Sequence, residues 1–226
     1  MLSIRIAGGK DAEMPPIIVF LGPSLERSEA EKILPAVYKP PAARGDVLRA
    51  VERGARIICL IDGVFHQESA VAHREILHAI HQGVRVIGAS SMGALRAAEL
   101  DVLGMVGIGE VYRMYRAGVL ESDDEVALVF DPVTGTALSE PLVNIRATLE
   151  AAEARGVIDH AIHMALLGSA RSLFYPERTY PRICQAAGEA VSPTIRQAFL
   201  RFIAEHGIDV KRQDAIRALE YIRDTG

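Results

Sequence analysis

Val84-Arg85-Val86-Ile87-Gly88-Ala89-Ser90-Ser91-Met92-Gly93-Ala94-Leu95-Arg96-Ala97-Ala98-Glu99-Leu100 decides the fold. Val84 to Gly88 is a short apolar run rich in β-branched residues and reads as a strand. Ala89 to Gly93 is a tight turn of small residues, and Ala94 to Leu100 reads as a helix. The same grammar recurs upstream. Arg56-Ile57-Ile58-Cys59-Leu60-Ile61 is a strand punctuated by Asp62-Gly63, and the spacing predicts a helix over Ser69 to His81, closed by Gly83. Ile17 to Leu21 is a buried strand entering Gly22-Pro23-Ser24, and a helix capped by Ser24 or Ser28 follows until Pro35 stops it. Val37-Tyr38-Lys39-Pro40-Pro41 is extended, and its paired prolines confine it to a sheet edge or a rigid loop. Val47 to Arg53 is helical. Strands alternating with helices imply right-handed crossovers, so this half of the chain is expected to be α/β, a parallel sheet with helices on both faces.

Downstream of about residue 103 the pattern changes. Gly104, Gly107 and Gly109 read as a flexible connection, and Glu110 to Ala117 as a helix. Glu121 to Glu125 is an acidic loop, either solvated or a docking surface for a basic partner. Val126 to Phe130 and Thr136 to Leu138 flank a five-residue turn and predict a β-hairpin. From Pro141 the chain is mainly helical, with helices over Leu142 to Arg155, Ile158 to Leu167, Pro181 to Ala187, Pro193 to His206 and Lys211 to Arg223. The expected organisation is an N-terminal lead over 1–16, a core over 17–140 and a helical extension over 141–226 packed on it.

Composition narrows the function classes. Half of the 226 residues are hydrophobic and 24% are charged, enough apolar mass for a sizeable core. No apolar run reaches the roughly 20 residues of a bilayer span, and the opening residues lack a signal-peptide layout, so a cytoplasmic protein without membrane contact is expected. A net charge of −4 gives no basic footprint for nucleic acid. The two cysteines, Cys59 and Cys184, have neither metal-ligand nor redox spacing. Among 25 basic residues the only lysines are Lys10, Lys32, Lys39 and Lys211.

In an open parallel sheet, ligands bind where strand ends diverge at the carboxyl edge. Three such ends carry polar residues and should converge: Gly22-Pro23-Ser24, Asp62-Gly63 and Ala89-Ser90-Ser91-Met92-Gly93. The last approximates the small-x-Ser-x-Gly turn that lifts a nucleophilic serine above a sheet, where the following N–H can stabilise an oxyanion. On spacing alone, the plainer reading is that Ser90 and Ser91 cap the helix that follows, and an anion-binding turn is a further alternative. No strand in the C-terminal half supplies the Asp and His of an α/β-hydrolase, so a nucleophilic Ser91 needs a different base. His73, His78 and His81 on one helix, and His160 and His163 on another, have no acidic partner in sequence, and no metal site is expected. Arg44, Arg74 and Arg96 lie beside the candidate turns or on helices leading from them. The absence of a Gly-Lys-Ser/Thr loop and of G-x-G-x-x-G after the first strand counts against a nucleotide-binding module.

Several segments in order resemble the TfuA-like family: Phe20 to Leu25, Pro40 to Ala42 with Arg44-Gly45-Asp46, Leu60 to Gly63, His73 to Leu77, Gly88 to Leu100 and Asp123 to Ala127. The resemblance implies a cofactor-independent partner of YcaO-type enzymes in peptide backbone thioamidation. It implies hydrolysis of the thiocarboxylate of a small ThiS-like sulfur carrier, releasing sulfide, by a serine–lysine pair. Ser91 matches the family serine. The lysine is expected in a His-Lys-Glu-Ile-Leu segment, where this chain carries Arg74, and a guanidinium cannot act as a base near neutral pH. Of the four lysines, Lys39 is the one expected near the converging loops.

The expected machinery is therefore Ser91 as nucleophile and Lys39, or failing it His73 or water, as proton acceptor. The amides of Met92 and Ser24 are expected at the oxyanion and Asp62 beside the water or base. Arg74, Arg96, Arg44 and Ser90 are expected to complete the substrate-binding surroundings. A protein that has lost hydrolysis and acts as an adaptor between a YcaO enzyme and its substrate or sulfur carrier is the alternative.

Overall fold

The computed structural model describes residues 16–64, 69–131 and 133–226. Lys10 and most of the expected lead lie outside them. Five parallel strands, β1 (Ile17–Phe20), β2 (Val37–Lys39), β3 (Ile57–Leu60), β4 (Arg85–Ala89) and β5 (Val106–Ile108), form one sheet in the order β2-β1-β3-β4-β5. The registers run Ile18 to Val37, Ile18 to Ile58, Ile58 to Val86 and Gly88 to Gly107. Between them lie α1 (Arg27–Ile33), α2 (Asp46–Glu52), α3 (His73–His81) and α4 (Met92–Leu100), with α5 (Glu110–Arg116) after β5. The expected α/β class and parallel sheet are present.

Alternation along each strand sorts the core into two layers. Ile18, Phe20, Ile58, Leu60 and Val86 pack against α2, α3 and α4 through Val47, Ala50, Ile76, Ala79 and Ala97. Val19, Cys59, Ile61 and Ile87 face the other way. That second face is covered by α1 and by the last helix of the chain, α10 (Val210–Thr225), whose stripe Ala215, Ala218, Leu219 and Ile222 is buried against it. The four positions follow the i, i+3, i+4, i+7 spacing of one helix face. Arg85 at the start of β4 reaches Tyr221 Oη and the Thr225 carbonyl, so α10 runs antiparallel to the strands and begins at their carboxyl edge.

The remaining helices, α6 (Leu142–Ala154), α7 (His160–Ser172), α8 (Tyr180–Ala186) and α9 (Pro193–His206), enclose a separate apolar cluster around Leu149, Leu166, Ile183 and Phe199. Three details differ from the sequence reading. The glycine connection after α4 contains β5, because Gly107 lets the sheet approach the Tyr112 ring where any Cβ would collide. The hairpin reduces to a single antiparallel bridge, Phe130 to Ala137. The acidic run contains a 3-10 turn over Asp123–Glu125 in which Glu125 pairs with Arg146 and Asp124 with Arg178, while Glu121 and Asp123 stay exposed.

Candidate functional site

Chain direction across the sheet reverses between β1 and β3, which places the crevice of an open α/β fold at their carboxyl ends. Asp62, buried just beyond β3, ties that crevice together. Its carboxylate accepts the Gly22 and Ser24 amides at 2.8 and 3.2 Å and the Ser24 hydroxyl at 2.7 Å. The turn after β1 is thus fastened to the turn after β3. A cavity of about 180 Å³ opens beside this junction, and Asp62, Gly63, Ser91 and Lys211 all line it. Pro41, Leu128, Phe130 and Tyr175 give it a largely apolar wall.

Ser91 reaches the cavity through a strained turn. Ser90 has φ of 68°, the only positive value at a non-glycine position among the described residues, and the Ser91 amide donates to the Ala89 carbonyl at 2.8 Å, closing a γ-turn around it. The Ser90 hydroxyl is buried with no hydrogen-bond partner among the described residues. Strain and an unmade hydrogen bond each cost roughly 1–3 kcal/mol, and such costs concentrate at functional sites. Ser91 occupies the N-cap position of α4, but its hydroxyl makes no capping bond. The Met92 amide, first in α4, and the Gly63 amide have no acceptor among the described residues. A Cβ on Gly63 would lie 3.0 Å from the Met92 side chain, so the two turns touch.

Lys211 is the cation of this cavity. It is 2% exposed, and Nζ donates to the Val126 carbonyl at 2.9 Å. Desolvation lowers its pKa, against the opposing pull of Asp62, Asp209 and Glu140. Its place on α10 follows from helical spacing: position 211 is one turn before Ala215, so the side chain continues the buried stripe and its amine emerges at the strands' carboxyl edge. The start of α10 is pinned by Asn144 of α6. Its Oδ1 accepts the Val210 and Lys211 amides at 3.0 and 3.3 Å, and its Nδ2 donates to Asp209 at 3.0 Å. The Val126 carbonyl is held in turn by the Glu125–Arg146 and Asp124–Arg178 pairs just before it.

The sequence model of the TfuA-like protein family matches residues 62–179, just over half of the chain. The chain belongs to the TfuA-like family. No curated protein matches it significantly. TfuA-like proteins are associated with YcaO-dependent thioamidation. The matched span holds Asp62, Gly63, Ser91, Asn144, Arg146 and Arg178, whereas Lys211 lies beyond it. No described helix is long and apolar enough to cross a membrane.

The structure of this TfuA-like chain separates the other expected site residues. Lys39 sits on the edge strand β2, three strand spacings or about 14 Å from β4. It lines a groove of about 720 Å³ formed with Leu21 to Pro23, Leu25 to Arg27 and Val133 to Ala137, not the Ser91 cavity. Arg44, His73, Arg96 and the Met92 side chain line a different cleft of about 440 Å³. There His73 and Arg96 share Glu99, at 2.7 and 2.6 Å, and Arg96 also donates to the Val71 carbonyl. Arg74 is exposed on α3, pointed away from the sheet by Glu75 and Ile76, which take the buried positions. The Ser24 amide, expected at an oxyanion, is taken by Asp62. Both cysteines are buried, and burial pushes the Cys59 thiol up to about 12 and Cys184 upward as well, so neither supplies a thiolate. Lys211, near the C-terminal end of the sequence, is the lysine that the sequence expectation does not place at these loops. The available signal is a lysine in register with the Ala215, Ala218, Leu219 and Ile222 stripe of the last helix.

Proposed function

We propose that this protein hydrolyses the C-terminal thiocarboxylate of a small ThiS-like sulfur carrier and releases sulfide for a YcaO-type enzyme in the cytoplasm, with Ser91 as nucleophile and Lys211 as proton acceptor. The observation that carries the reading is the convergence of Ser91 and a buried Lys211, whose pKa burial lowers, on one cavity. Neutral Lys211 takes the Ser91 proton as Oγ attacks the thiocarboxylate carbon. The developing oxyanion meets the Met92 and Gly63 amides and the positive end of α4. As the tetrahedral intermediate collapses, the C–S bond breaks and the sulfur leaves as hydrosulfide with the proton from Lys211. Water, deprotonated by the same amine, then cleaves the serine ester to a carboxylate and frees Ser91. The cavity is too small for a folded protein and suits the end of an unbranched tail. The adaptor reading drew on Arg74 standing where a base was expected, and a base elsewhere removes that premise.

With a thiocarboxylated carrier, Ser91→Ala is expected to cut sulfide release by about 10³-fold or more while carrier binding is unchanged. Wild-type release by Ser91→Ala, or full thioamidation supported by it, overturns the proposal in favour of an adaptor.

A further inference from the structure

We infer that Glu153, His160 and His163 form a binding site for a divalent ion of the zinc type, on the helical part of the molecule and independent of the Ser91 cavity. Glu153 ends the last turn of α6, and His160 and His163 occupy the first turns of α7, joined by a tight turn through Gly156. One ligand atom from each residue lies within 4.8 Å of the others. The carboxylate is approached from both sides: His160 Nδ1 is 3.0 Å from Oε1 and His163 Nδ1 is 2.5 Å from Oε2. A single ion pair would need one imidazole. Here two rings from one helix turn the same nitrogen toward one carboxylate, and His163 does so from a side chain only 11% exposed.

Two imidazoles and a carboxylate suit zinc, cobalt(II) or nickel(II), whereas magnesium and calcium prefer sets of oxygen donors. Zinc bonds of about 2.0–2.2 Å place tetrahedral ligand atoms about 3.4 Å apart, so the two carboxylate–imidazole separations need to open by less than an ångström. Helix electrostatics also permit a cation. The last turn of α6 presents its negative end, and the Asp159 carboxylate, which caps α7 by accepting the Ile162 amide at 2.8 Å, offsets the positive end of α7. The fourth position faces solvent beside His160, whose side chain is 75% exposed, and would be filled by water.

The test is titration of metal-free full-length protein with cobalt(II) and zinc. One equivalent of cobalt(II) is expected to give the visible bands of a four-coordinate ion, and zinc to displace it and raise the melting temperature. Because His160 is exposed, His160→Ala should fold normally, and it is expected to weaken zinc binding at least tenfold and to abolish the melting shift. Glu153→Gln should act in the same direction. Absence of a one-equivalent site, or binding and melting shifts in His160→Ala equal to wild type, overturns the inference.

Discussion

Lys211→Met is expected to lower sulfide release from a thiocarboxylated carrier by about 10³-fold, while the melting temperature at pH 7 stays at or above that of the wild type. The two effects have one cause. Burial makes the ammonium form of Lys211 costly in the folded protein, so its folded pKa lies below the ordinary 10.5. Between the folded and the ordinary pKa the unfolded chain binds more protons than the folded one, so stability rises with pH across that window. Below the folded pKa the cost of burying the charge is present in full. Methionine removes that cost but leaves the Val126 carbonyl without its donor, a loss of about 1 kcal/mol. The same shift sets the pH–rate profile. Release should rise with pH through the lowered pKa as the neutral amine accumulates, and Lys211→Met should lack this rise. Lys211→Arg tests the chemistry apart from the charge, because a guanidinium occupies a similar place but does not deprotonate. Lys39→Ala is expected to retain close to wild-type turnover. Wild-type rates in Lys211→Met, or a large loss in Lys39→Ala, would reverse the assignment.

These contrasting lysines show what a linear reading can reach. Strand ends are legible because apolar runs and glycine turns are local signals, and Gly22 to Ser24, Asp62-Gly63 and Ala89 to Gly93 lie at the carboxyl ends of β1, β3 and β4 as expected. Which side chains meet above those ends depends on strand order, and no local pattern states that order. Lys39 lies one strand from β1 in the sheet but three from β4, whereas Lys211, 120 residues after Ser91, is carried back by α10. Asp62 is legible from its position after an apolar run, yet its three bonds to the neighbouring turn appear only once β1 and β3 are paired. The Glu153 cluster escaped for the same reason. His160 and His163 show no acidic partner until α6 and α7 fold against each other.

Gly93→Ala is expected to destabilise the protein by about 3 kcal/mol or more and to eliminate activity with it. A Cβ at Gly93 would fall inside the van der Waals envelope of the Leu60 carbonyl, which is backbone of β3. That strand is hydrogen-bonded on both sides, to β1 and β4, so it has no direction in which to yield. Gly88 is the complementary case, since its Cβ would strike the Gly93 carbonyl and the Met105 side chain. Together they let the first turn of α4 lie directly on the sheet, and this close approach holds Ser91 and the Met92 amide over the ends of β3 and β4. Relief of the clash requires α4 to rise, which carries Ser91 away from Lys211. Urea unfolding measures the effect, and Gly168→Ala provides the contrast. Gly168 is exposed within α7 with nothing near its missing Cβ and no left-handed backbone, so alanine should add roughly 0.5–1 kcal/mol through helix propensity. If Gly93→Ala cost less than about 1 kcal/mol and kept its activity, the tight seat of α4 on β3 would not be what positions the nucleophile.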